Sequence, residues 1–70
     1  MRIHYFDLFK IDSVGPLWLS AAASLEEAKA KAALEHARDP HCDFKILNQR
    51  TGVIQTIFSS DLARTTVYGN

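Results

Sequence analysis

Cysteine is nearly absent from this 70-residue chain: Cys42 stands alone, so no internal disulfide can staple the fold. A single thiol without a disulfide framework suits a reducing compartment, and the reading is a cytoplasmic protein. Glycine is scarce as well. Gly15, Gly52 and Gly69 lie far apart, which excludes a glycine-rich phosphate loop. Charge of one sign is missing, because 8 basic and 8 acidic side chains cancel. A basic patch or a high pI is the usual mark of a nucleic-acid binder, and composition shows neither. Long apolar runs are lacking too. None approaches the roughly 20 residues of a membrane span, and Met1-Arg2-Ile3-His4-Tyr5 does not read as a secretory leader. A chain this short fits one domain with a thin core. With disulfides excluded, self-association is the staple that remains.

What is present is organised as hairpin, helix, hairpin. Ile3 to Ile11 is rich in β-branched and aromatic residues and predicts a strand. Asp12-Ser13-Val14-Gly15-Pro16 supplies a turn, and Leu17 to Ala22 returns as a second strand. Ser24-Leu25-Glu26-Glu27 is a capping box in which the Ser24 hydroxyl accepts from the Glu27 amide and Glu27 reaches back to Ser24. Strong helix formers follow from Ala28 to Ala37, and Arg38 and then Pro40 end the helix. Glu27, Lys31, Glu35 and Arg38 form a charged stripe expected to face solvent. Leu25, Ala30, Ala33 and Ala37 are expected to face the sheet, with Lys29 and His36 snorkelling along its edges and Leu34 at the core rim. Asp43 to Leu47 predicts a third strand. Asn48-Gln49-Arg50-Thr51-Gly52 predicts a turn with Gly52 at a left-handed position, and Val53 to Phe58 a fourth strand.

These elements predict an α+β fold, ββαββ, with one helix over about residues 24–38 on one face of a four-stranded sheet. A right-handed crossover gives the antiparallel order 2-1-3-4. Residues 1–58 form the domain. Residues 59–70 form an extension that opens with a short helical turn at Ser59 to Arg64 and frays at its end.

One helix covers one face, so the other should read polar. It does not. Tyr5, Phe9 and Ile11 lie on one side of strand one and Phe6 and Leu8 on the other, and strands two to four are likewise apolar on both sides. Large exposed apolar patches mark interaction sites. Three covers present themselves: the C-terminal segment through Leu62, Val67 and Tyr68, a second copy stacked sheet on sheet, or another protein or ligand. The second copy ranks first, with Tyr5, Phe9, Trp18, Leu47 and Val53 as the interface.

Catalytic and metal signatures are sparse. His36, His41 and Cys42, with distant His4, make too loose a set for a structural zinc site, and the chain is read as binding no metal or cofactor. Cys42 beside His41 lacks a third group to orient the histidine. Asp7, amid apolar residues, is the most unusual charge. The plain reading places it facing solvent near a sheet edge or paired with His4 or Lys10. Tyr5, Phe9 and Trp18, interleaved with Lys10, Lys45 and Arg50, also fit a stacking surface for single-stranded nucleic acid, which neutral net charge disfavours. The expectation is therefore a non-enzymatic interaction module working as a homodimer, with nucleic-acid binding by the same face as the alternative.

Leu17-Trp18-Leu19, the helix opening Ser24-Leu25-Glu26-Glu27-Ala28 and the turn Gln49-Arg50-Thr51-Gly52 resemble small bacterial hairpin-helix-hairpin domains of unknown function. The resemblance covers most of Ile3 to Ile57. It implies a bacterial source and carries over no catalytic or binding residue. Asp39-Pro40-His41-Cys42 and the tail after Phe58 fall outside it.

Overall fold

The computed structural model describes residues 4–62. The expectations for Ile3 and for residues 63–70, Val67 and Tyr68 among them, lie outside the described residues. Four strands and one long helix follow in the order β1 (Phe6–Asp12), β2 (Gly15–Ala22), α1 (Leu25–Arg38), β3 (Asp43–Asn48) and β4 (Ile54–Ile57). The sheet order is β2-β1-β3-β4 and every pairing is antiparallel, so the ββαββ fold and the 2-1-3-4 order are as expected.

Local chemistry accounts for each junction. In the first turn, Asp12 Oδ1 accepts from the amides of Val14 (2.8 Å) and Gly15 (3.2 Å), and Gly15 takes φ +130°, which side chains avoid. Helix α1 starts where the Glu27 amide donates to Ser24 Oγ at 3.1 Å. Glu27 Oε1 reaches back one residue further than the capping box predicts, to the Ala23 amide at 3.4 Å. The helix stops at Asp39, whose amide donates to the Glu35 carbonyl at 3.0 Å and whose backbone (φ −143°, ψ 80°) has left the helical region, which the residue before a proline avoids. The second hairpin turns on Asn48, which accepts from Arg50 (2.9 Å) and Thr51 (3.4 Å), and on Gly52 at φ +77°. Past β4 the chain makes a helical turn over 59–62, with the Ser59 amide donating to Asp43 Oδ1 at 2.8 Å.

Leu8, Phe44 and Ile46 form the centre of the core beneath α1, joined by Ala22, Ala28, Ala32 and Ile57. Burying a side chain of the size of Leu8 or Phe44 contributes about 1.5–3 kcal/mol.

The helix is rotated from the expected setting. Ala28, Ala32 and His36 are buried, whereas Ala30, Ala33 and Ala37 are exposed and Leu25 is half-buried. The buried stripe runs at four-residue spacing and ends on a polar residue, which is why counting apolar positions missed it. Glu27, Lys31 and Glu35 consequently border the core rather than oppose it. Lys31 pairs with Glu27 at 3.3 Å and donates to the Ala21 carbonyl at 2.7 Å. Leu34 does not wrap into the core rim; it stays 69% exposed.

Candidate interaction surface

Strand alternation sends the neighbours of the buried residues to the opposite face. The register places Phe9 between Trp18 of β2 and Lys45 of β3, Asp7 between Ala21 and Leu47, and Ile11 between Pro16 and Asp43. Leu47 in turn pairs with Ile54. Phe9, Ile11 and Leu47 are half-buried, while Trp18 and Ile54 are more than half exposed. Phe9, Ile11, Pro16, Lys45, Leu47 and Ile54 line an open, mainly apolar hollow of about 270 Å³. The surface is therefore uneven, with the exposed indole of Trp18 midway along the β2 edge and a depression running from β2 to β4.

Three of its polar groups, Asp7, Trp18 Nε1 and Gln49, are tied to one another. Trp18 Nε1 donates to Asp7 Oδ1 at 3.1 Å, and the Gln49 side-chain amide donates to Asp7 Oδ2. Asp7 thus lies on an inner strand, not near a sheet edge, and its partners are neither His4 nor Lys10. Lys10 turns to the helix side and pairs with Asp39 at 3.5 Å. Sequence inspection missed Gln49 as a partner because it lies 42 residues away. The Arg50 guanidinium sits 4.8 Å from the centre of the Tyr5 ring, a cation–π contact.

Four of the five expected interface residues, Tyr5, Phe9, Trp18 and Leu47, belong to this face. Val53 does not. The strand begins one residue later, and Val53 lines a hollow on the helix side with Phe6, Leu25 and Ile46. Val53 spends its carbonyl on closing the hairpin with the Asn48 amide at 2.9 Å, and Ile54 takes the place assigned to it on the helix-free face. Leu62, offered as part of a C-terminal cover for this face, packs instead against the core on the helix side. There it borders a groove of about 440 Å³ with Ala30, Ala33 and Ile57.

Both sheet edges are blunted. On β2, Pro16 lacks an amide proton and a bulge at Leu8/Phe9 shifts the register. The ammonium of Lys31 also occupies the Ala21 carbonyl. Strand β4 is only 4 residues long. Short edges, proline and bulges all discourage strand addition.

The remaining reactive groups are separated. His36, 7% exposed, meets Ser59 Oγ through Nε2 at 3.1 Å, and Ser59 Oγ also contacts the Pro40 carbonyl at 2.5 Å. A carbonyl only accepts, so the hydroxyl proton goes to Pro40 and Nε2–H of His36 donates to Ser59. That direction leaves no base to draw a proton from Ser59. Cys42 is buried and His41 exposed. Burial, and then the neighbouring Asp39, push the Cys42 thiol above its ordinary value. The Cys42 thiol, and then the Lys10 ammonium, hold the Asp39 carboxyl below its own, against the opposing effect of burial. Among the described residues no three His, Cys, Asp or Glu side chains gather as a metal site, and no helix is long and apolar enough to cross a membrane. No known protein family, curated protein or solved structure matches this chain.

Proposed function

We propose that the chain is a non-enzymatic interaction module that works as a homodimer through its helix-free sheet face. The observation that carries this reading is an apolar, aromatic face on which the Asp7 carboxylate, on an inner strand, is already bonded twice, to Trp18 and Gln49. Covering such a face removes apolar surface from water and leaves few polar groups unpaired. Four strands about 4.8 Å apart and some six residues long span roughly 20 by 20 Å, and side-chain relief adds to that flat area. A standard interface buries about 800 Å² on each partner; the flat area is about half that before side-chain relief is added, which suits a weak, concentration-dependent dimer. The blunted edges favour stacking over strand addition. The lone buried thiol supports a reducing, cytoplasmic setting.

Sedimentation equilibrium from low to high micromolar concentration tests the reading. A monomer–dimer equilibrium is expected for the native chain, and Leu47→Glu should shift it to monomer while the helix content is retained. A strictly monomeric native chain would remove the reading. Lys45 beside Phe9, and Arg50 over Tyr5, are the observations for the nucleic-acid alternative. Steeply salt-dependent binding of mixed single-stranded DNA by a monomer would put that alternative in its place.

A further inference from the structure

The face has an exposed aromatic ring at its β2 edge and an apolar hollow side by side, so it can be complementary to itself. We infer that in the dimer the Trp18 indole of each copy covers the other copy's hollow, formed by Phe9, Ile11, Leu47 and Ile54, and that this reciprocal contact selects a second copy of the chain as partner. The inference rests on the proposed dimer face and adds which residues interlock across it.

Three observations support it. The hollow is open and almost wholly apolar, about 270 Å³, and Lys45 brings the one charge to its lining. Trp18 is 54% exposed yet held in place by its bond to Asp7, so little side-chain freedom remains to be lost on docking. The charges match as well. Asp7 sits beside the indole and Lys45 beside the hollow. Seating the ring over the opposite hollow brings Asp7 of one copy toward Lys45 of the other, and two-fold symmetry repeats the contact. The ammonium of Lys45 would also face the aromatic ring, a favourable pairing. Another protein would need to present both features in one arrangement, whereas a second copy does so by construction.

Trp18 is the only tryptophan, which makes complementation readable by fluorescence. Trp18→Ala keeps the hollow and lacks the ring; Ile54→Glu keeps the ring and spoils the hollow. Each alone should weaken the dimer by about thirtyfold or more, as for an aromatic anchor buried in a partner's pocket. Mixed, they can rebuild one ring-in-hollow contact. Titrating the tryptophan-free Trp18→Ala chain into Ile54→Glu should therefore blue-shift the emission and give a heterodimer mass at concentrations where neither variant self-associates. No shift and no heterodimer from two folded monomers would overturn the interlock. A Trp18→Ala chain that dimerises like the native one while Ile54→Glu does not would also overturn it, leaving the face itself as the interface. If both variants dimerise like the native chain, the choice of face fails with it. Trp18→Phe, which keeps an aromatic ring, serves should Trp18→Ala not fold. It is expected to dimerise more tightly than Ile54→Glu, and equal weakening of the two would count against the ring.

Discussion

Trp18 Nε1 and Asp7 Oδ1 are joined by a 3.1 Å hydrogen bond between adjacent antiparallel strands, tying the chain's only indole to a carboxylate that Gln49 holds from the other side. The bond is exposed, so its removal should cost the fold little, about 0.5–1.5 kcal/mol. Asp7→Leu is expected to lower the urea midpoint slightly. It should clearly lower the anisotropy of Trp18 fluorescence under conditions where the chain is monomeric. An unchanged anisotropy would mean that the ring is held by packing alone.

Ala32 and Ala33 are adjacent in sequence and opposite in consequence. Ala32 is fully buried against the sheet, and Ala33 is exposed. Ala32→Leu should destabilise by about 1–3 kcal/mol through overpacking, and Ala33→Leu by less than about 0.5 kcal/mol. Chemical denaturation of the two variants checks the helix setting directly, and equal costs would contradict it.

Ser59 ties the end of β4 to α1 and to the loop before β3. Its hydroxyl meets both His36 Nε2 and the Pro40 carbonyl. Ser59→Ala strips a buried imidazole of its partner, so a loss of about 1–3 kcal/mol is expected. Ser59→Thr, which retains the hydroxyl, should recover part of that loss.

Asp39 and Cys42 set opposite pH dependences. The Asp39 carboxyl is lowered in the fold by the Cys42 thiol and Lys10. Its contribution is therefore present above the ordinary carboxylate value, near ~3.9, and is lost as pH falls through the lowered folded value. The Cys42 thiol is raised by burial and by Asp39. Its contribution is present below the free-thiol value, near ~8.5, and is lost as pH rises through the raised folded value. Thermal melts across pH should show a shallower acid limb for Asp39→Asn and a shallower alkaline limb for Cys42→Ala. A native-like acid limb in Asp39→Asn would refute the first assignment.

The parts legible in the sequence are those held by neighbours in the chain. The Ser24 cap, the Asp12 and Asn48 turns and the proline stop after Asp39 each act within four residues, and the strand order follows from the handedness of one crossover. The parts not legible depend on distant partners. A histidine in the last turn of a helix reads as surface until Ser59, 23 residues on, is seen to satisfy it. Asp7 reads as a stray surface charge until Gln49 arrives from the second hairpin. Val53 and Ile54 could not be assigned to faces by alternation alone, because that assignment depends on where the turn ends and pairing begins.

The guarded edges of β2 and β4 bear on stoichiometry. A sheet that welcomes new strands has no natural end to its growth, and an apolar surface on such a sheet invites fibrils. Here proline, a bulge and a lysine close the lateral direction on one side, a short strand closes it on the other, and α1 lies over the bottom. Among the described residues only the direction perpendicular to the helix-free face stays open, and in the proposed dimer one neighbour there uses it up. The same few residues that look like irregularities of an edge strand would then set the count at two.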